Sequence, residues 1–314
     1  MRNLVLAAAL AALACPAVGG RAASPAPAAP AAKAMTCPIG GGSFKYQPSA
    51  AAQVVLGERP DGRPIGGVKF PLALPECPDN GLVLYKDYDS GEVAKLEPLV
   101  ASEAYRALRK ADTQYYRAYW LMREMGVGPE LYLWALLQAS WEAEGNPELR
   151  KRYLEELVEA SAKVPTRPAD LNWIGMEGRS INALRELGRF DEALARLDKV
   201  PLAALRSPVP ASASTPASAS APESPQARVR RGWRTFFTAI RPAIERRDPS
   251  PEPLDLLPRS VAAGRCIDEA GKLDETGRAF CDKDAEAIAA LRAARDRQAK
   301  EDEALRQSRE ASGR

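Results

Sequence analysis

Apolar and polar positions change their rhythm three times along this chain. Leu4 to Ala14 is a nearly unbroken apolar run, too short for the ~20 residues a bilayer-spanning helix needs. From Met35 to about Lys86 apolar residues come in short bursts between turn residues. "GSFKYQ" and "AAQVVLGERPDGRPIGGVKF" read as strands with a tight turn at Pro60-Asp61-Gly62, and "GLVLYK" alternates like a further strand. From about Glu92 the spacing lengthens to threes and fours. "GEVAKLEPLVASEAYRALRKADTQYYRAYWLMREMG" reads as helix stopped at Gly126. "PELYLWALLQASWEAEGN", "PELRKRYLEELVEASAKV", "RPADLNWIGMEGRSINALRELGR" and "FDEALARLDKV" follow as helices. Their very short connections force antiparallel neighbours.

Residues 207–226 lose all periodicity in a Pro/Ala/Ser tract, the composition of a disordered linker. Beyond it Trp233, Phe237, Ile240 and Ile244 fall on one helical face. "LDLLPRSVAAGRCIDEAGKLDETGRAFCDKD" reads as a helical hairpin, and the remaining residues as a charged helix with a thin apolar stripe. The expected fold is mainly α, with a small β-rich head ahead of antiparallel helical hairpins. The expected boundaries are a signal at 1–23, a Pro/Ala tether at 24–34, the head at 35–91, the helical domain at 92–206, the linker at 207–226 and a C-terminal helical segment at 227–314.

Arg2 ahead of the apolar run, and small residues after it, read as an export signal. Two fates are open: cleavage between Gly20 and Ser24, or lipidation of Cys15 within Ala12-Leu13-Ala14-Cys15. Either gives a periplasmic or secreted protein with four cysteines, Cys37, Cys77, Cys266 and Cys281, an even set suited to disulfides. The chain contains no histidine. That excludes Ser-His-Asp and Cys-His catalysis and every His-ligated metal or haem. The net charge of +3 implies no particular partner, and an exported chain does not meet nucleic acid. No C-x-x-C occurs to support a redox role.

"CPIGG" and "CPDNG" resemble the zinc knuckle C-P-x-C-G, with Gly40 and Asn80 where the second cysteine belongs. Zinc takes four ligands, and the two knuckles offer two sulfurs, with Glu76 and Asp79 as the nearest carboxylates. No metal or other cofactor is expected. In a ribbon of this kind the knuckles face each other across the metal. In an oxidising compartment the two remaining sulfurs, Cys37 and Cys77, can therefore bond directly. Two unrelated Cys-Pro turns pairing as any exported cysteines would is the other reading, and it gives the same bond. Cys266 and Cys281 are expected to clip the C-terminal hairpin.

"NALRELGRFDEALARLDKV" resembles the second half of a tetratricopeptide repeat through Gly188, Phe190, Ala193 and Leu197. "WALLQASWEAEGN" resembles a first half through Trp134, Leu137, Trp141 and Gly145. The turn glycines lie 43 residues apart, against a usual period of about 34. Arg150 stands where a small residue belongs, and Pro201 cuts the second unit short. The order of knuckles, strands and helices is also similar to a group of bacterial exported proteins that join a zinc-ribbon-like head to helical repeats. What these resemblances imply is an architecture, tetratricopeptide-like hairpins behind a stapled head, and no catalytic residue.

The expected activity is that of a non-enzymatic scaffold holding a protein or peptide partner of unknown identity. The aromatics Tyr115, Tyr116, Tyr119, Trp120, Trp134 and Trp141 lie in its helices. Tyr116, Trp120, Trp134 and Trp141 are the candidate anchors, although their helical spacing also suits a core. The alternative is a cell-envelope hydrolase using a carboxylate pair from Glu142, Glu144 and Glu177. Residues two apart on a helix do not face each other, so Glu142 and Glu144 cannot form that pair, and solvated helix faces account for all three. No S-x-x-K in a suitable setting supports a Ser-Lys pair. "RVRRGWRTFFTAIRPAIERR" carries seven arginines. It is a candidate for weak contact with anionic envelope components, or a docked amphipathic helix.

Overall fold

The computed structural model describes residues 31–48, 55–205 and 224–312. The expected signal, most of the tether and most of the linker lie outside these. Two β-hairpins open the described chain. β1 (Lys33–Thr36) pairs antiparallel with β2 (Ser43–Tyr46), and β3 (Val55–Glu58) with β4 (Pro64–Gly66), in two separate two-stranded sheets. β1 starts at Lys33, inside the expected tether, because Lys33 and Ala34 continue the ladder opposite Tyr46 and Lys45. "GLVLYK" makes only a single bridge, Val83 to Glu76, and no strand.

The knuckles are near-copies. The Cys37 amide donates to the Gly42 carbonyl at 2.8 Å and the Cys77 amide to the Leu82 carbonyl at 2.9 Å. Asn80, standing where a knuckle sulfur would be, donates from Nδ2 to the Ile39 carbonyl of the other knuckle at 3.1 Å. Cys37 and Cys77 are disulfide-bonded at a Cα separation of 5.6 Å. So small a head lacks a sufficient core of its own, and it borrows one. The buried bond packs with Leu82 and Val83 against Leu96, Val100, Tyr105, Ala118 and Leu121 of the first three helices.

Those helices are α1 (Ser90–Ala101), α2 (Glu103–Ala111) and α3 (Gln114–Glu124). The single periodic stretch in the sequence is divided where Ser102 and Thr113 turn their side chains back to accept from the Tyr105 and Tyr116 amides. α4 (Pro129–Glu142), α5 (Pro147–Ala162), α6 (Leu171–Glu186) and α7 (Phe190–Leu197) continue as antiparallel neighbours. Their second core runs from Tyr119 through Leu136, Trp141, Leu157 and Ile181 to Leu197.

α8 (Pro225–Glu245) starts inside the expected linker, capped by Ser224. It was expected with the C-terminal segment, yet it packs on α6 and α7 and sends Phe237, Ile240 and Ile244 into the helical body's core. The reason lies in α6. Gly175 and Gly178 leave room for the Trp233 ring; a Cβ on Gly178 would come within 2.6 Å of Trp233 Cζ3. α9 (Arg259–Asp268) and α10 (Glu275–Lys283) are joined by Cys266–Cys281 at a Cα separation of 5.8 Å, and α11 (Ala285–Ser312) packs beside them. Their small core also takes Ile65 from β4.

Two disulfides indicate an oxidising, non-cytoplasmic location. Among the described residues no helix is long and apolar enough to cross a membrane.

Candidate functional site

α4 and α6 are the first helices of successive hairpins, and α8 follows in the same row. Their shared inner face is where a stack of this kind receives a ligand. Here the face receives part of the chain itself, the β3–β4 turn Glu58 to Arg63. The turn is preset: the Gly62 amide donates to the Arg59 carbonyl at 2.8 Å and the Arg63 amide to Asp61 Oδ1 at 3.0 Å. Gly62 has φ +86°, a left-handed conformation that suits glycine.

The charged side chains of the turn face opposite charges on the helices, although Arg59 Nε and Asp61 Oδ2 are buried without a hydrogen-bond partner. Glu144, just past the end of α4, holds Arg59 Nη1 at 2.6 Å and Arg63 Nη1 at 2.5 Å. Arg150 at the start of α5 lies 3.6 Å from Asp61 Oδ2 and 2.5 Å from Glu186 Oε2. Arg179 of α6 donates to the Pro60 carbonyl at 2.8 Å and to Glu58 Oε2 at 3.0 Å. Glu252 adds a second carboxylate 3.2 Å from Arg59. Deeper still, the fully buried Arg185 binds Asn182 and the Asp248 and Ser250 carbonyls.

The electrostatics follow from this crowding. Burial alone would raise the Glu144 pKa, but the hydrogen bonds from Arg63 and Arg59 outweigh it and hold the carboxyl down at about 2. Glu186 goes the other way, pushed up by burial with Asp61 adding to the rise, and Arg150 only partly offsets that. Burial pulls Arg179 below its ordinary value. Its guanidinium also stacks 4.9 Å from the Trp233 ring centroid and 5.6 Å from that of Phe236.

Beside the turn, a cleft of about 560 Å³ stays open. Trp134, Val229, Trp233, Phe236 and Leu256 line it, with Glu58 to Pro60 as one wall and Arg179 behind. On the other side of Trp134 a pocket lined by Leu133, Trp173 and Met176 has about 30 Å³. That suits one water and no side chain.

Of the four candidate anchors the structure brings Trp134 to this cleft. Trp141 is only 7 % exposed, a core residue out of reach of a partner. Tyr116 stacks on Tyr153 with centroids 4.5 Å apart and donates to Glu156, while Trp120 packs beside Tyr105. The three carboxylates weighed for hydrolysis are dispersed. Glu142 accepts from the Tyr115 amide, Glu144 holds Arg59 and Arg63, and Glu177 forms a two-point pair with Arg196. Glu76, weighed as a metal ligand, takes Arg117 at 2.8 and 2.9 Å and Gln114 at 2.9 Å. Among the described residues no three acidic, cysteine or histidine side chains gather as a metal site.

The arginines of α8 divide. Arg230 donates to the Ala204 and Ala169 carbonyls, Arg241 pairs with Asp198, Arg246 with Asp248 and Asp255, and Arg247 with Asp191. Arg228, Arg231 and Arg234 lie on the exposed side. Sequence reasoning missed the role of the Pro60 turn and Arg179; it read Trp233 as docking its helix, which the structure shows against Gly175 and Gly178, but not as lining a cleft. The one available signal was the charge density of "GERPDGR", unusual for a simple hairpin tip.

Comparison with protein-family models, with curated proteins and with solved structures found no match.

Proposed function

We propose that this is an exported, non-enzymatic scaffold, periplasmic or secreted behind its N-terminal signal, whose helical body holds a partner protein on its inner face. The observation that carries the reading is the open aromatic cleft beside the β3–β4 turn, with Val229 exposed at its rim. Trp134, Val229, Trp233, Phe236 and Leu256 give the cleft an apolar side, and Glu58, Arg59 and Arg179 give it a charged one, the mix of apolar contact and placed polar groups that a docking site uses. Glu58 is already paired with Arg179, so the favoured segment is an apolar side chain set against the aromatic wall. The stapled head closes the other end of the body and supplies the turn. Any weak contact with anionic envelope components falls to Arg228 and Arg234 on the exposed side of α8.

The test is capture from an envelope fraction by the purified full chain. A partner held by the wild type should be lost with Val229→Asp and Trp134→Ala, and kept with Lys151→Ala on α5. Capture indifferent to Val229→Asp would move the site elsewhere. Peptidoglycan hydrolysis by the purified protein, abolished by replacing Glu142, Glu144 or Glu177, would replace the scaffold reading altogether.

A further inference from the structure

We propose that the β3–β4 turn is a cis-acting occupant of the inner face, and that the partner engages this face by presenting in its place a tight turn with an aspartate between two arginines. The proposal rests on the reading of the helical body as a protein-docking unit, and it names the chemistry of what docks.

Three observations support it. First, the face reads the turn group by group. One carboxylate, Glu144, bridges both flanking arginines; Arg150 faces the central Asp61; Arg179 takes the Pro60 carbonyl. The turn arrives already shaped by its own hydrogen bonds, so little ordering is needed on docking.

Second, the contact is ionic. Buried ion pairs are a poor choice for a permanent tie, since replacing them by apolar residues of similar volume is often neutral or stabilising. Charges instead select what may sit there. Release wets two charged surfaces, the socket of Glu144, Arg150 and Arg179 and the tip of Arg59, Asp61 and Arg63.

Third, the hairpin is separable. Its two short strands form their own sheet, unconnected to β1–β2, and a two-stranded hairpin has little stability alone. Ile65 is packed in the C-terminal cluster and Gly57 lies against Pro258. The strands therefore stay tethered while the tip leaves.

The socket and the aromatic cleft are contiguous, since Glu58, Arg59 and Pro60 belong to both. A partner would seat its turn in the socket and an apolar neighbour against Trp134 and Val229. An intramolecular occupant competes at an effective concentration on the order of millimolar. The intact protein is therefore held in a low-affinity state.

The test is fluorescence anisotropy of a labelled cyclic peptide carrying residues 57–65. The receptor is the full-length chain with Arg59→Ser, Asp61→Ser and Arg63→Ser, which empties the socket and leaves Glu144, Arg150 and Arg179 intact. Arg59→Ser with Arg63→Ser, which removes both pairs to Glu144, serves if circular dichroism shows the triple variant unfolded. The peptide should bind the emptied chain and bind the wild type at least tenfold more weakly. Adding Glu144→Gln and Arg179→Gln should abolish binding.

A folded, emptied chain that ignores the peptide, or a wild type that binds it equally well, would overturn the proposal. So would hairpin-exchanged dimers of the wild type in light scattering, which would give the socket to a second copy. The peptide assay needs no partner. Its failure leaves the scaffold reading standing, and a chain that binds the peptide but captures nothing would sink that reading alone.

Discussion

Replacing Gly62 by alanine should loosen the turn far more than backbone strain explains. An L-residue in the left-handed region costs about 1–2 kcal/mol. Gly40 measures that cost alone: it has the same φ of +86°, and nothing lies within 4 Å of a Cβ built there. A Cβ on Gly62 would lie 2.5 Å from Arg179 Nε and 2.7 Å from Cζ. A free arginine would swing aside at little cost. This one is held at 2.8 Å by the Pro60 carbonyl and at 3.0 Å by Glu58, and it is stacked on Trp233 and Phe236. Moving it forfeits at least one hydrogen bond from a charged donor, about 1.5–3 kcal/mol. Gly62→Ala should therefore cost about 2.5–5 kcal/mol of local stability, against about 1–2 kcal/mol for Gly40→Ala. The assay is native-state hydrogen exchange at the Arg59 and Gly62 amides, which bond within the turn. Trypsin is unsuitable because proline follows both Arg59 and Arg63. In an Arg179→Ala background the obstruction is gone, so the double-mutant cycle should show about 1.5–3 kcal/mol of coupling. A coupling below about 0.5 kcal/mol would mean that the guanidinium does not hold the turn.

Three further outcomes are expected. Converting Cys37 and Cys77 to serine opens a loop with a sequence separation of 40, which should cost about 4 kcal/mol in urea unfolding; unchanged stability would show that the core borrowed from α1–α3 suffices. Arg117→Ala removes the guanidinium that binds Glu76 and the Gly81 carbonyl, and should cost about 3 kcal/mol, read as early loss of the head in a thermal melt. Acid should release the turn. With its folded pKa lowered to about 2, Glu144 contributes stability above its unfolded value near 4.5 that is lost as pH falls toward 2. Glu186 acts with the opposite sign, its contribution complete below the ordinary carboxylate range and declining as pH rises through its raised value. Tryptophan fluorescence followed from pH 4.5 to 2 should change in the wild type and lose most of that change in Glu144→Gln.

The elements visible beforehand were those whose cause is local. Pro60-Asp61-Gly62 announced its turn because a left-handed glycine after Pro-Asp leaves few alternatives. Cys37–Cys77 was legible from two knuckles, each short of one sulfur. The missed features depend on residues far apart in sequence. Nothing near Ser102 or Thr113 marks them as caps rather than polar positions within one long helix, since only the packing of Tyr105 and Ala118 on the head decides the bends. Trp141 and Trp134 look alike by spacing, yet Trp141 is buried in the second core and Trp134 lines a cleft whose other wall comes from α8. Arg179 is 119 and 121 residues from its partners in the turn, so no window of sequence contains the socket.

That distance makes α8 decisive for the unit that can act. Phe237, Ile240 and Ile244 are each buried to within 1 %, and withdrawing all three forfeits about 5–9 kcal/mol of transfer free energy. That is comparable with the whole stability of a typical domain. A chain cut after Leu205 should keep helical circular dichroism, lose its cooperative melt and bind a hydrophobic dye, because the face of α6 shaped by Gly175 and Gly178 would then meet water. A peptide of residues 224–247 added in trans should restore the melt, and Trp233→Ala in that peptide should blunt the rescue. A truncated chain that melts cooperatively without the peptide would show that α8 only decorates the body. It would also remove one wall of the proposed docking cleft, since Val229, Trp233 and Phe236 reach that cleft only on α8.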